Sequence, residues 1–253
     1  MNPQGPTRRL GWLGTGRMGS ALALRLLAAG CELSVYNRTR AKAEPLAARG
    51  ATLVKTAADL GAASIVFVTV AASDDLIEAV LGPRGLIHGA SAPPIVVDCS
   101  TVSAEASQRV RERLAARGST LLAAPVMGNA KAAEAGRLTL AVSGPEEAFG
   151  QARGYLDLLG AGATYVGEGE TARIVKLCHN LLPGVVIQSL AEVTVLAQRY
   201  GVSRHALLEC LNNSVMGSAF SRYKTPALVN LDLRPTFTAR TARPSRPWSR
   251  PRW

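Results

Sequence analysis

Cysteine is scarce and scattered in this chain. Its 253 residues hold four cysteines, Cys31, Cys99, Cys178 and Cys210. They form no C-x-x-C pair and no metal-ligand spacing, which argues against a thiolate metal site and a disulfide frame and predicts reduced thiols. Long apolar runs are missing too. None reaches the roughly 18 residues of a membrane span, and the longest, around Ile65 to Ala72, has strand length and β-branched character. Met1 to Arg9 is polar and leads directly into the first apolar run, so no signal peptide is expected. A cytoplasmic protein with no membrane partner is the expectation. Acid is missing at one end: residues 234–253 hold six arginines and no Asp or Glu, and removing them takes the net charge from +11 to +5. The basic excess is largely a tail property. It argues against a nucleic-acid-binding body and leaves any such contact to the tail.

The chain has 47% hydrophobic residues, enough for a core. Residues 9–165 alternate short apolar runs with helical patterns. Strands are expected at 9–14, 32–37, 52–54, 64–70, 95–98, 120–123, 138–143 and 163–166. Helices are expected at 18–29, 40–49, 56–61, 74–81, 103–117 and 145–159. This alternation predicts an α/β fold, a doubly wound, mostly parallel sheet with helices on both faces. From about residue 168 the strand signal stops. Thr171 to Tyr200 predicts one long helix, which Pro183 should kink, and Ser203 to Asn212 a second. The expected domains are residues 1–166, an α/β domain; 167–239, a partial helical domain; and 240–253, a disordered Arg/Pro-rich tail.

Gly14-Thr15-Gly16-Arg17-Met18-Gly19 sits between the first strand and the first helix. In such a turn the first Gly allows the tight bend, the second admits a pyrophosphate, and the third lets helix and strand pack closely. The helix N-terminus then faces the phosphate charge. The second strand ends in Asn37-Arg38-Thr39, where an NAD site usually carries Asp or Glu. A carboxylate would repel a 2′-phosphate and a guanidinium can grip it, so NADP(H) is expected over NAD(H). Further constellations follow: Asp98-Cys99-Ser100-Thr101 after a strand, Ala124-Pro125-Val126-Met127-Gly128-Asn129 after another, and Gly167-Glu168-Gly169 before the long helix. Lys176, His179 and Asn180 stand at i, i+3 and i+4, on one helix face.

Taken together, from about residue 9 to 239, these motifs resemble the β-hydroxyacid dehydrogenase family. That family includes 3-hydroxyisobutyrate dehydrogenases, glyoxylate/succinic semialdehyde reductases and, more distantly, 6-phosphogluconate dehydrogenase. The resemblance implies a Rossmann domain, a helical domain, a homodimer, and NAD(P)-linked interconversion of a small 3-hydroxy acid and its semialdehyde. It makes Lys176 the catalytic lysine and Asn180 its polar partner. It assigns Gly14, Thr15, Gly16, Arg17, Met18, Gly19, Asn37, Arg38, Thr39, Val70 and Thr101 to the cofactor. Ser100, Gly128, Asn129 and His179 fall to the substrate, and no metal is implied. Two departures stand out. Met127-Gly128-Asn129 replaces the family's Ser-Gly-Gly or Ser-Gly-Ser, removing a hydroxyl that would meet the substrate carboxylate. Leu233-Arg234-Pro235-Thr236-Phe237 begins the approach to a further helix that the Arg/Pro tail then replaces, as a truncated or frame-shifted gene would give. An imine reductase, or a non-catalytic NADPH-binding or nucleic-acid-associated module, are the alternatives.

For oxidation Lys176 must be a neutral base. An exposed lysine titrates near ~10.4, so reaching about 7 to 8 takes roughly 4 kcal/mol. For reduction the protonated amine serves directly as acid, which makes aldehyde reduction the easier direction near neutral pH.

Overall fold

The computed structural model describes residues 9–232 and residue 234. The expected disordered tail, 240–253, lies outside the described residues. The chain divides into two compact units, Met1–Lys176 and Leu177–Trp253.

The first unit is built on β1 (Leu10–Leu13), β2 (Leu33–Tyr36), β3 (Thr52–Leu53), β4 (Ile65–Val68), β5 (Ile95–Asp98) and β6 (Thr120–Ala123). They form one six-stranded sheet in the order β3-β2-β1-β4-β5-β6, with every pair parallel. This is the doubly wound order, with its switch point between β1 and β4, where the crevice at the carboxyl ends of the strands takes a ligand. The helices are α1 (Arg17–Ala28), α2 (Glu44–Ala47), α3 (Ser73–Leu81), α4 (Ala104–Ala115), α5 (Ala130–Glu134) and α6 (Glu146–Leu158).

Burial on both faces explains the unbroken apolar runs of β4 and β5. Side chains alternate across the sheet. Leu10, Trp12, Ile65, Phe67, Ile95 and Val97 pack on one side, and Leu13, Val66, Val68 and Val96 on the other. Trp12 and Phe67 stack at 5.4 Å between ring centroids. Each such fully buried Leu or Phe contributes about 1.5–3 kcal/mol. Ser103 caps α4 as expected, its hydroxyl accepting from the Ala106 N–H at 3.2 Å.

The expected single sheet is in fact two. β7 (Val126–Met127), β8 (Thr139–Val142) and β9 (Gly162–Tyr165) form a separate sheet, with β7–β8 antiparallel and β8–β9 parallel. Pro125 follows β6 and has no N–H to continue a ladder. An isolated antiparallel bridge pairs Ala123, at the end of β6, with Ser143, just past β8, and so joins the two sheets.

α7 (Thr171–Arg199) begins in the first unit and runs on as one continuous α-helix through Pro183. The proline removes one rung of the ladder without ending the helix. An 18-residue window of α7 reaches a mean hydropathy of 1.5 and is only 6% buried, a length and composition that would also suit a membrane span. In the second unit α8 (Arg204–Asn213) and α9 (Ala219–Asn230) are tied through Asn212. Its amide donates to Thr225 Oγ1 at 2.7 Å and accepts from Ser221 Oγ at 2.7 Å. Leu181, Leu182, Val185, Leu196 and Tyr200 leave this unit with a broad exposed apolar surface.

Candidate active site

The glycine turn shows three different reasons for three glycines. Gly14 has φ +94°, and a Cβ there would lie 2.1 Å from the Thr69 carbonyl oxygen. A Cβ on Gly19 would lie 2.1 Å from the Gly14 carbonyl oxygen and 3.2 Å from Trp12 Nε1. Gly16 alone faces open space, with nothing within 4 Å of a Cβ. The outer two therefore serve the bend and the helix contact, and the middle one keeps a cradle clear. α1 has Gly16 as its N-cap, which offers no side-chain cap, and holds no acidic residue in its first turn. Its free N–H groups and its dipole are left for an anion. Thr15 Oγ1 and Thr69 Oγ1, beside the turn, are buried with no hydrogen-bond partner. Such groups normally find a ligand or a water. The residues present fit the pyrophosphate of a nicotinamide dinucleotide.

In the sequence Asn37 stands out for the carboxylate it lacks, and the structure adds a positive reason for an amide. Its Oδ1 accepts from the Thr15 N–H at 2.9 Å and its Nδ2 donates to the Thr39 carbonyl at 2.8 Å. An aspartate could make only the first bond. Asn37 thus joins the end of β2 to the glycine turn. Arg38 is 80% exposed, and its Nη1 lies 3.3 Å from Asp75 Oδ1. Thr39, Arg17 and Thr101 are exposed and Met18 is half-buried.

At the next strand ends the side chains turn inward. Ser100 is 2% exposed. Its hydroxyl accepts from the Val70 N–H at 2.9 Å, and its own N–H donates to Asp98 Oδ1 at 3.0 Å. Ser100 and Val70, expected at substrate and cofactor, are therefore bonded to each other, stitching β4 to β5. Burial pushes the Cys99 thiol far above its ordinary range, with the Asp98 carboxylate adding to the rise. Gly128 has φ +145°. Asn129 is exposed and caps α5, its Oδ1 accepting from the Ala132 N–H at 3.0 Å.

A buried charge network at the entry to α7 has no counterpart in the sequence reading. Arg173 Nη2 donates to Asp98 Oδ2 at 2.7 Å and to Ser107 Oγ at 2.8 Å. Nη1 donates to the Ser100 carbonyl at 3.2 Å and Nε to Glu170 Oε2 at 2.7 Å. Glu170 Oε1 in turn accepts from Arg111 Nε at 3.0 Å and Nη2 at 2.7 Å. In the sequence Asp98 is visible only as the head of its motif. Arg173 lies 75 residues away, and no local pattern links the two.

Lys176 comes one turn after Arg173. It is half-buried, and desolvation pulls its amine below the ordinary lysine value of 10.5. No ion pair or hydrogen bond holds it among the described residues. His179 and Asn180 follow on the same helix, both exposed, with His179 Nδ1 3.4 Å from Asn180 Oδ1.

Doubly wound order, glycine cradle and uncapped helix together define a dinucleotide-binding domain of the Rossmann type. Comparison with known proteins agrees. Residues 9–167 match the model for the NAD binding domain of 6-phosphogluconate dehydrogenase. Residues 167–243 match that for the NAD-binding domain of NADP-dependent 3-hydroxyisobutyrate dehydrogenase. The chain belongs to the β-hydroxyacid dehydrogenase family of NAD(P)-dependent oxidoreductases. It is 31% identical over 224 residues to the chloroplastic glyoxylate/succinic semialdehyde reductase 2 of Arabidopsis thaliana, covering 88% of this chain and 63% of the reductase. It is 31% identical over 210 residues to the 3-hydroxyisobutyrate dehydrogenase of Pseudomonas aeruginosa, covering 83% of this chain and 70% of that enzyme. Among solved structures, Psf3 in complex with NADP+ and 2-OPP aligns with a TM-score of 0.75 at 31% identity, covering 87% of this chain and 78% of that one. The chain thus spans less than two thirds of the length of the plant reductase.

Proposed function

We propose that this chain is an NADP(H)-dependent oxidoreductase that interconverts a small 3-hydroxy acid and its semialdehyde, with Lys176 as the acid–base group. The observation that carries the reading is the Lys176 amine, half-buried, unpaired among the described residues and lowered by desolvation. It stands one turn beyond a network anchored at the carboxyl end of β5. A shift of this direction and cause is what general acid–base chemistry asks of a lysine.

The bound nicotinamide supplies or accepts the hydride. The protein manages charge and protons. The N–H groups opening α1 would hold the pyrophosphate, and Arg38 would offer a fork to a 2′-phosphate. In reduction, protonated Lys176 would donate its proton to the aldehyde oxygen of the substrate, the hydride coming from the bound cofactor, so that an alcohol results. In oxidation, the neutral amine takes that proton back. Asn180 orients the substrate or the amine from the next turn.

The NADP preference rests on Arg38 and the absent carboxylate, and it accords with the NADP+ bound in the Psf3 structure. We assign the exposed apolar surface of α7–α9 to a second copy of the chain, so that sedimentation should give about twice 26.5 kDa, and a monomer would refute the assignment.

The test is a screen of small semialdehydes for NADPH oxidation, with a cyclic imine as contrast. Lys176→Ala should abolish turnover of the substrate found while NADPH affinity stays within twofold. Turnover retained in Lys176→Ala rejects the role.

A further inference from the structure

A buried arginine–carboxylate pair adds little net stability, because desolvation offsets much of the Coulombic gain. The pair at the start of α7 is nonetheless thoroughly buried, with side-chain exposures of 6% for Arg173 and 0% for Asp98. Its distinguishing feature is direction. The guanidinium is a rigid planar fork, and its bonds to Asp98, Ser107, Ser100 and Glu170 fix it from four sides. One residue earlier, Ala172 is fully buried against Ala123 and Ala141. At about 100° per residue, Lys176 comes round between Ala172 and Arg173 on the helix wheel. The two anchors therefore bracket the direction in which the lysine leaves the helix.

The network also consumes charge. The charged groups around this turn are Asp98 at the end of β5, Arg111 on α4, and Glu168, Glu170 and Arg173 at the entry to α7. Asp98 and Glu170 are both taken by guanidinium groups, and Glu168 Oε1 lies 3.3 Å from the Tyr165 hydroxyl. Cys99, beside Asp98, stays protonated.

We propose that Arg173 is a positioning residue for Lys176: it sets the rotation of the first turn of α7 and occupies the carboxylates there, so that Lys176 enters the site as an amine without a counter-ion. The proposal rests on the acid–base reading of Lys176, but its main readout does not require turnover.

The full chain and the variants Arg173→Met, Arg173→Lys and Asp98→Asn/Arg173→Met are labelled with acetic anhydride across a pH series. Modification of Lys176 is followed by mass spectrometry. NADPH affinity and turnover are measured alongside. In Arg173→Met, Glu170 keeps Arg111, but the release of Asp98 and the loss of the neighbouring positive charge should raise the titration of Lys176 by about one unit, cutting its labelling near neutral pH about tenfold. Arg173→Lys keeps the charge, and should restore the labelling profile but only part of the turnover. The double variant removes both charges, the change a buried pair tolerates best. It should fold and bind NADPH within twofold, yet turn over about tenfold more slowly or worse because the fork is gone. If Arg173→Met does not fold, the double variant decides. Folded variants that only melt earlier, with wild-type labelling and turnover, overturn the proposal. If Lys176→Ala remains active while the labelling shift is present, the acid–base reading fails and the positional link stands.

Discussion

Gly16→Ala separates folding from cofactor binding. Gly16 has φ −66° and ψ −179°, a conformation alanine adopts freely, and an added methyl meets nothing within 4 Å. At a helix N-cap, exchanging Gly for Ala costs roughly 0.5–1 kcal/mol, and the stiffer unfolded chain returns about 0.4–1 kcal/mol. Stability should change by less than about 1 kcal/mol. The methyl would occupy the space through which a pyrophosphate approaches the opening N–H groups of α1. Displacing the phosphate costs one or more charge-assisted hydrogen bonds, each about 1.5–3 kcal/mol. NADPH affinity should therefore fall about ten- to a hundredfold at 1.4 kcal/mol per tenfold. Gly14→Ala is the contrasting control. Its methyl would lie 2.1 Å from the Thr69 oxygen at φ +94°, so the fold itself should suffer. Fluorescence titration with NADPH and a thermal melt read both effects. A Gly16→Ala protein that binds NADPH like the wild type would refute the cradle.

Arg38→Asp should weaken NADPH binding far more than NADH binding, and equal losses in paired titrations would remove Arg38 from the 2′-phosphate. The pH profile carries a definite sign. In the proposed reduction the Lys176 amine acts protonated, so the rate should be full below its pKa and be lost as pH rises through it. Because burial lowers that pKa from 10.5, the decline should begin below the range of an exposed lysine. A rate flat up to pH 10.5 would contradict the assignment.

The strands and long helices of the first unit are legible in the sequence because their signals are strong and local: Ile65-Val66-Phe67-Val68, Ile95-Val96-Val97 and the glycine turn each declare their state within a few residues. β7 with two residues and α5 with five are not, being too short for any periodicity. Nor is α9, where Pro226 looks like a breaker but sits inside a helix started by the Ser218–Ser221 capping box. The division into two sheets depends on where Pro125 ends a ladder, which composition does not reveal. At the site, the glycine roles are readable from spacing, whereas Lys176 is singled out only through the family resemblance, because a lysine on a helix face ordinarily reads as a solvated charge. Asn37 is conspicuous for the charge it lacks, whereas its two hydrogen bonds are a matter of geometry. Asp98–Arg173 is invisible because buried ion pairs leave no periodic trace, and an arginine on a helix ordinarily reads as a solvated charge.

The most direct test of the account is a crystal structure of the chain with NADP+ and a small 3-hydroxy acid. The account predicts the pyrophosphate on the Gly14–Gly19 turn and Lys176 Nζ within about 3 Å of the substrate hydroxyl. An amine pointing into bulk solvent, or a cofactor lying elsewhere, would contradict it.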